Sequence, residues 1–290
     1  MKDEFRKEFR LECKGRSLIL GQRTLVMGVL NVTPDSFSEG GKYLLKSSAV
    51  GHAVSMVQDG ADIIDIGGES SRPYSDRISL EEELERVIPV IESVSKEVDV
   101  PISIDTYKAE VARQAIEAGA SIINDISAFR FDPDMVSVAA DACVPVILMH
   151  MKGSPSDMQD DPVYGDFISE IKDFFKDALD RAEKGGIDRD MIVLDPGIGF
   201  GKTFDHNLEI LRELHQFTPL SRPILVGSSR KAFIGQILDN RPEDRDIGTM
   251  ATVSASILNG AHIVRVHNLK MACETVKVID TIMSGRVARG

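Results

Sequence analysis

The chain has 290 residues, of which 42% are hydrophobic and 28% are charged, a composition typical of a soluble globular protein. Its length suits one α/β barrel of about 250 residues with an N-terminal extension. The formal net charge of −12 argues against nucleic acid or an anionic membrane as the partner, because both would repel the chain. It does not exclude a small anionic ligand, since exposed charges are screened beyond roughly 8 Å.

The sequence has no pattern of a targeting or membrane-spanning segment. Met1–Arg10 is charged throughout and lacks the apolar core of a signal peptide. No apolar run approaches the roughly 20 residues that cross a bilayer. The three cysteines, Cys13, Cys143 and Cys273, are odd in number and widely spaced, which is typical of a reducing compartment. We therefore expect a cytoplasmic protein.

The first predicted element is an antiparallel hairpin over Phe9–Leu25, where apolar and polar residues alternate around Lys14-Gly15-Arg16-Ser17. We expect this hairpin to plug the floor of a barrel. Eight short apolar runs follow, separated by amphipathic stretches. They are Leu25–Leu30, Ile63–Ile66, Ile102–Ile104, Ile122–Ile123, Val144–Met149, Met191–Leu194, Ile224–Val226 and Ile263–Val266. The pattern predicts a (β/α)8 TIM barrel as a single domain over residues 1–290, with residues 1–24 as the hairpin extension.

Helical periodicity fills the connections between these runs. Gly60, Gly119 and Gly260 each stand directly before a strand, where glycine accepts the backbone conformation that ends a helix. Ser79-Leu80-Glu81-Glu82 is a capping box that opens a helix reaching Val98. The other predicted helices are Ser47–Asp59, Thr106–Glu117, Asp134–Asp141, Phe167–Lys184, Asn207–Leu214, Thr249–Leu258 and Met271–Met283.

Two connections, Asn31–Leu45 and Gly67–Ser79, are much longer than the usual 2–6 residues. A tolerated surface insertion is one explanation of such length, and a loop that closes over a site is the other. The density of Gly, Ser and Pro, together with Asn31, Asp35 and Arg72, favours the second.

Polar residues follow most of the strands, and active sites of parallel barrels lie at these strand ends. Asp105 and Asp195 directly follow aliphatic runs, where a buried charge is costly without a partner. Asp105 has an alternative interpretation as the cap of the next helix. Two carboxylates with Asn124 suit a flat heterocycle with an amidine-like edge, such as a pterin or a guanine. Arg265 is able to stack its guanidinium on such a ring.

The segment Asp195-Pro196-Gly197-Ile198-Gly199-Phe200-Gly201-Lys202-Thr203 nearly matches a phosphate-binding P-loop. That pattern requires glycine where Pro196 stands, and proline has no N–H to donate to a phosphate. We interpret the segment as a glycine-rich loop that lets the backbone and Phe200 approach a ring.

A cationic rim is predicted beyond the last two strands. Gly227-Ser228-Ser229-Arg230-Lys231 opens a helix, whose free N–H groups favour an anion. Arg265, His267 and Arg72 add positive charge or donors at the same mouth. Arg230 and Lys202 also fit a solvated surface.

Two further polar residues at strand ends have structural interpretations. We interpret His150 as a hydrogen-bonded histidine at the rim and place Asp65 in the same class. No histidine pair or dense carboxylate cluster marks a metal site. A Mg²⁺ ion held mainly by substrate phosphates and water, with Asn31 as one ligand, would leave no clear pattern of metal ligands in the sequence.

Seven segments, in chain order from about Leu25 to the end, resemble the dihydropteroate synthase family. They are Gly28-Val29-Leu30-Asn31-Val32-Thr33-Pro34-Asp35-Ser36-Phe37-Ser38, Asp65-Ile66-Gly67-Gly68-Glu69-Ser70-Ser71-Arg72-Pro73, Ile104-Asp105-Thr106, Ile123-Asn124-Asp125, Leu194-Asp195-Pro196-Gly197, Ser229-Arg230-Lys231 and Arg265-Val266-His267. The resemblance implies a TIM barrel, Mg²⁺ and a homodimer. It also implies condensation of 6-hydroxymethyl-7,8-dihydropterin diphosphate with p-aminobenzoate, releasing pyrophosphate.

The resemblance also implies a role for each matching residue. The pterin site would consist of Asp105, Asn124, Asp195, Lys231 and Arg265. The diphosphate site would consist of Asn31, Ser71, Arg72, Arg265 and His267, with Asn31 as the metal ligand. The p-aminobenzoate pocket would consist of Phe37, Ser71, Arg72, Pro73, Ser229 and Lys231. The catalytic residues would be Asp105, Asp195, Lys231 and Arg265.

Two departures from the family pattern are visible. Ser71 stands where the family commonly has threonine, so the hydroxyl remains and one methyl group is lost. Asn268 stands where aspartate is more common, which weakens any claim that a carboxylate orients His267.

Three other interpretations of the chain stay open. One is a pterin-binding methyltransferase with a corrinoid partner, which would not need Arg72, Lys231 or the Arg265–His267 pair. Another is a non-catalytic pterin-binding paralogue. A substituted p-aminobenzoate is the third, as an alternative acceptor.

Overall fold

The computed structural model describes residues 6–33, 41–70, 75, 77–160 and 162–285, except for the side chains of residues 41–45. The chain begins with an antiparallel hairpin, formed by β1 (Phe9–Cys13) and β2 (Arg16–Leu20). Lys14 and Gly15 connect the strands with φ of 47° and 85°. Two positive φ values in a two-residue loop match the right-handed twist of a hairpin. The predicted hairpin is confirmed.

Eight parallel strands follow and form the barrel. Neighbours in sequence are neighbours in the sheet from β3 to β8, and β10 joins β3 to β9. A parallel bridge between Leu194 and Ile224 connects the two ends of this order. The predicted (β/α)8 barrel is therefore confirmed. Its strands are β3 (Leu25–Asn31), β4 (Ile63–Gly67), β5 (Ile102–Asp105), β6 (Ile122–Asp125), β7 (Val146–Met149), β8 (Ile192–Asp195), β9 (Leu225–Val226) and β10 (Ile263–Val266).

Helices occupy the connections, as the periodicity predicts, and differ from the predicted bounds mainly at their first turns. In the described part of the chain, none is long and apolar enough to cross a membrane. The α-helices are α1 (Gly41–Gln58), α2 (Leu80–Glu97), α3 (Ala109–Ala118), α4 (Met135–Ala142), α5 (Phe167–Lys184), α6 (Phe204–Glu213), α7 (Ala232–Leu238), α8 (Asp246–Leu258) and α9 (Leu269–Ser284). Short 3-10 helices occupy Arg189–Met191, Leu214–Leu220 and Pro242–Asp244.

Local capping explains where several helices begin and end. Ser79 accepts a hydrogen bond from the N–H of Glu82 at 3.1 Å, which confirms the predicted start of α2. Gly60, Gly119 and Gly260 have φ of 101°, 123° and 106°, as expected of glycines that end helices.

The first turn of α3 decides between two interpretations of Asp105. The N–H of Ala109 donates to Asp132 Oδ2 at 2.8 Å, and the N-cap, Lys108, makes no side-chain capping bond. The interpretation of Asp105 as a helix cap is therefore wrong. Its carboxylate is available to the barrel interior.

The barrel interior changes from apolar to polar along its axis. At the amino ends of the strands, inward side chains form a buried layer with Leu11, Cys13 and Leu20 of the hairpin, which confirms that the hairpin plugs the floor. The barrel residues of this layer are Leu25, Met27, Ile63, Ile122, Ile147, Val193, Leu225 and Ile263. Because side chains alternate along a strand, the next inward position is polar on several strands, where Asp65, Asn124, Asp195 and Arg265 lie.

His262 ties the N-terminal segment to the barrel. Its Nδ1 accepts a hydrogen bond from the N–H of Ile224 at 3.1 Å, and its Nε2 donates to the carbonyl of Lys7 at 3.1 Å. The acceptor role of Nδ1 requires the neutral imidazole. Burial and, to a smaller extent, the positive charge of Arg6 lower the pKa of His262 to about 4, although the hydrogen bond to the carbonyl of Lys7 acts in the opposite direction.

A lowered histidine pKa predicts loss of stability in acid. Neutral His262 contributes fully to the free energy of unfolding above the unfolded-state pKa. This contribution disappears as the pH falls through the folded-state pKa of about 4. His262→Gln keeps one acceptor and one donor but does not titrate. We expect the stability advantage of the wild type over this variant to shrink by on the order of 2–3 kcal/mol from about pH 7 to about pH 4. Urea unfolding at both pH values measures it, and a constant difference would contradict the assignment.

Candidate active site

Arg265 lies at the centre of the polar layer, between two carboxylates. Its Nε donates to Asp65 Oδ2 at 2.6 Å, and its Nη2 donates to Asp105 Oδ2 at 2.7 Å. Asp65 is fully buried in the middle of β4, so its charge needs this partner. This contact makes Asp65 part of the polar layer of the site, whereas the sequence predicts only a structural role for it. The sequence feature that could have indicated this role is a charged residue in the middle of a buried strand.

Asn124 joins the same group from β6, where it lies beside Asp105 in the strand register. Its Nδ2 donates to Asp65 Oδ2 at 3.2 Å. The other oxygen of Asp65 and the hydroxyl of Ser103 are buried and have no hydrogen-bond partner among the described residues. The carboxylates therefore keep acceptor capacity beyond what the protein uses.

Asp195 faces the same interior from β8 and is held by the loop that follows it. Its Oδ1 accepts a hydrogen bond from the N–H of Gly197 at 2.7 Å. Burial raises the pKa of Asp195 to about 6, opposed by the Gly197 N–H and by the charges of Lys231, Arg265 and Lys202. The resulting carboxylate is ionised at neutral pH but is poorly solvated. It suits a ligand that brings N–H donors.

Burial also raises the pKa of Asp105. The charge of Arg265 opposes this shift, and the neighbouring carboxylate of Asp65 adds to it. Arg265 thus stands among three carboxylates, since Asp195 also acts on it electrostatically. The layer presents several carboxylate oxygens to the interior, which suits an edge of a heterocycle that brings N–H donors.

The glycine-rich loop between β8 and α6 makes the close approach that the sequence predicts. Gly197, Gly199 and Gly201 have φ of 70°, 79° and 62°. A Cβ on Gly197 would lie 2.0 Å from the carbonyl oxygen of His150, so any other residue would displace the loop. The loop places the ring of Phe200 beside Lys231, whose Nζ lies 3.9 Å from the ring centroid.

An apolar wall adjoins this loop, and sequence reasoning identified only Phe200 of its members. Their shared signal is position, because they lie at strand ends or in the loops just beyond. The buried cluster consists of Ile126, Met149, Met151, Met158 and Phe200. Such a wall suits the face of a planar ligand.

Ser229 and His267 form the part of the predicted cationic rim that the structure brings together. The hydroxyl of Ser229 lies 2.8 Å from His267 Nδ1, and it accepts the backbone N–H of His267 at 3.3 Å. Arg230 instead pairs with Asp246 at 2.8 Å, so it is not simply a solvated surface charge. Asn268 caps α9 and donates to Asp246, which explains its side chain without reference to His267.

Lys202 is buried, with 2% of its surface exposed, so the interpretation as a solvated charge is wrong. Its Nζ lies 2.9 Å from His150 Nδ1. His150 is itself buried and hydrogen-bonded, as the sequence interpretation expects.

Four residues of the predicted site, Phe37, Ser71, Arg72 and Pro73, lie outside the described residues. Asn31 ends β3 beside Gly67, which in turn lies beside Asp105. In the described residues, no three His, Cys, Asp or Glu side chains form a group that could hold a metal ion. The amide oxygen of Asn31 at the mouth is compatible with a single-ligand Mg²⁺ site completed by substrate oxygens and water.

Comparison with known proteins relates this geometry to a family. Residues 27–267 match the family described as pterin binding enzyme. Dihydropteroate synthase of Synechocystis sp. is 51% identical over 263 residues, covering 90% of this chain and 91% of the relative. Dihydropteroate synthase of Xanthomonas albilineans with 4-aminobenzoic acid has a TM-score of 0.90 at 41% identity, covering 96% and 99% of the two chains. The same enzyme in complex with 7,8-dihydropteroate has a TM-score of 0.86 at 39% identity, covering 95% and 99%.

Arg265→Met should destabilise the fold by about 3–5 kcal/mol near neutral pH, because it leaves buried carboxylates without their cation. Without the opposing charge of Arg265, burial raises the pKa of Asp105 still further above its value in the unfolded chain. The loss should therefore increase as the pH rises from about 5 to about 8. Urea unfolding of Arg265→Met and of the exposed control Arg241→Met, whose side chain is 77% exposed, measures the difference. Equal effects of the two substitutions would refute this account.

Proposed function

Since this chain belongs to the pterin-binding enzyme family, we infer that it catalyses the dihydropteroate synthase reaction. It transfers the pterinylmethyl group of 6-hydroxymethyl-7,8-dihydropterin diphosphate to p-aminobenzoate, giving 7,8-dihydropteroate and pyrophosphate. The observation that carries this inference is the 51% identity to a dihydropteroate synthase over 90% of the chain. The polar layer of the barrel supplies the chemistry that the reaction needs.

The pterin binds in the polar layer, with Asp195 and Asp105 accepting hydrogen bonds from its amidine-like edge. Asn124 complements a ring nitrogen and the exocyclic amine together. Lys231 and Phe200 border the ring, and the face of Arg265 is free to pack on it because its N–H edges serve Asp65 and Asp105. Asp65 orients Arg265.

The diphosphate binds on the rim near Ser229, His267 and Arg265, joined by Arg72 and Ser71 from the second long loop. Negative charge grows on the leaving oxygen as the C–O bond breaks. Hydrogen-bond donors and cations that bind the leaving oxygen more strongly as its charge grows lower the activation barrier. The rim is therefore the part of the site that acts most directly on the transition state.

The electron-rich pterin supports positive charge at its exocyclic methylene, so the C–O bond can break before the C–N bond forms. The arylamine nitrogen then attacks and afterwards loses one proton to solvent. Asp195 and Asp105 stabilise the cationic character of the ring electrostatically. The two long loops are proposed to exclude water, which would otherwise intercept the cation.

The p-aminobenzoate pocket lies beside Ser229 and Lys231, with Phe37, Ser71, Arg72 and Pro73 from the two long loops. The hydroxyl of Ser229 lies 2.8 Å from His267 Nδ1, which fixes its position. The guanidinium of Arg72 offers a partner for the carboxylate of the acceptor.

Mg²⁺ is proposed as the cofactor, with the amide oxygen of Asn31 as its protein ligand. When bound, it would neutralise part of the charge of the diphosphate. The remaining ligands would be diphosphate oxygens and water, in keeping with the lack of a multidentate site among the described residues.

A homodimer is proposed through the face formed by α7, α8 and α9. These three helices carry several large apolar side chains that are exposed in the single chain, a pattern typical of an interface. They are Ile237, Leu238, Ile247, Leu258, Val278 and Ile282, exposed by 55%, 45%, 77%, 50%, 58% and 60%.

A cytoplasmic location is also proposed. Cys13, Cys143 and Cys273 are all free thiols, in keeping with a reducing compartment.

The methyltransferase alternative is disfavoured because Lys231, Arg265 and His267 lie together at one mouth, and a methyl transfer has no diphosphate to hold.

The pure protein should convert the pterin diphosphate and p-aminobenzoate to dihydropteroate and pyrophosphate, with Mg²⁺ required and EDTA abolishing turnover. Asp195→Asn should weaken binding of 6-hydroxymethylpterin by about a hundredfold, because it replaces one acceptor oxygen with a donor facing the ring. Calorimetry measures this, with Asp173→Asn as the control at a carboxylate that is 68% exposed. Absence of both products would reject the function, and unchanged pterin binding would reject the role of Asp195.

Ile247→Asp should convert the proposed dimer to a monomer, because it places a charge on the apolar face of α8. Sedimentation equilibrium of the wild type and the variant measures this. Lys176→Met on α5, whose side chain is 61% exposed, is the surface control. A wild type that sediments as a monomer at micromolar concentration would contradict the proposal.

A further inference from the structure

The buried ammonium of Lys202 connects two segments at the mouth of the barrel. Its Nζ donates to the carbonyl of Phe200 at 3.0 Å, within the glycine-rich loop. It also lies 3.3 Å from the carbonyl oxygen of His150 and 2.9 Å from Nδ1 of the same residue, just beyond β7. Three polar atoms from two chain segments therefore surround this one nitrogen. No carboxylate pairs directly with Lys202 among the described residues.

Burying an ammonium group is expensive, so this position needs an explanation. Burial lowers the pKa of Lys202 well below its ordinary range, and the carboxylate of Asp195 opposes the shift. A methionine of similar length would fill the space without that cost. The benefit of lysine at this point is its hydrogen bonds to two chain segments.

The bonds of Lys202 reach the ring-binding residues through the loop. Phe200 N–H donates to the carbonyl of Gly197 at 3.1 Å, and Gly197 N–H donates to Asp195 Oδ1 at 2.7 Å. The turn from Gly197 to Phe200 is thus fixed at one end by Asp195 and at the other by Lys202. The carbonyl of His150, which accepts from Lys202, is also the atom against which Gly197 packs.

We propose that Lys202 is a positioning residue of the pterin site. Its ammonium clamps the glycine-rich loop onto the end of β7. The clamp holds the N–H of Gly197 on Asp195 and the ring of Phe200 beside Lys231. Lys202 does not contact the substrate. The inference rests on the proposed function, because it assumes that Asp195 and Phe200 bind a pterin.

The test separates loop position from general stability. In Lys202→Met the loop loses its clamp, so the Kd of 6-hydroxymethylpterin should rise about tenfold or more by calorimetry. The kcat at saturating pterin diphosphate and p-aminobenzoate should fall by a smaller factor than the pterin affinity, since the residues that act on the diphosphate are untouched. A purely structural role would lower the folded fraction and kcat and leave the pterin Kd unchanged. That result would overturn the proposal.

A second variant covers the case in which Lys202→Met does not fold. His150→Phe keeps the edge contact with the ring of Phe174, whose centroid is 4.8 Å away, and removes one acceptor of Lys202. We expect it to raise the pterin Kd about threefold, because the two carbonyl acceptors remain. An unchanged Kd would count against the clamp.

Two controls complete the experiment. Lys176→Met, at an exposed lysine on α5, should leave both the pterin Kd and kcat at wild-type values. A wild-type protein that binds no pterin would reject the proposed function itself. A wild type that binds pterin, with a Lys202→Met variant that binds it equally well, would reject only the role of Lys202.

Discussion

The ion pairs of Arg265 with Asp65 and Asp105 are the interaction on which the rest of the barrel interior depends. Asp65 is fully buried and would be intolerable as an isolated charge. The guanidinium of Arg265 stabilises the charges of both carboxylates in the interior, and it also interacts electrostatically with Asp195. The protein thereby keeps several buried acceptor oxygens that are only partly used. A ligand with N–H donors completes them.

The hairpin allows this polar layer to exist. A barrel interior is filled by layers of side chains, and here β1 and β2 add Leu11, Cys13 and Leu20 to the lowest layer. The floor is thus sealed by apolar packing, and the polar groups are confined to the carboxyl ends of the strands. The residues that bind a ligand and the residues that form the apolar floor therefore lie at different heights along the barrel axis. The site can carry unsatisfied groups because the floor below it is well packed.

The strand order and the main ring-binding positions follow from local sequence patterns. Eight apolar runs with polar ends predict the barrel, because eight strand-and-helix units in series match its repeat. Asp195 is recognisable since it follows an aliphatic run and precedes Pro196, where no helix begins. Partners are harder to predict. Asp65 and Lys202 looked structural or solvated, because nothing local distinguishes a charge with a distant partner from one in water.

The sequence by itself therefore determined the architecture, the family and the polar residues that end the strands, since periodicity and order along the chain carry that information. Only the tertiary structure decided which of these residues touch. Asp65 and Arg265 are 200 positions apart, and Lys202 and His150 are 52 apart. The assembled sheet brings them within hydrogen-bond distance. The physical reason is that burial and pairing are properties of the assembled interior, where a charge is stable only beside the partner that another strand or loop provides.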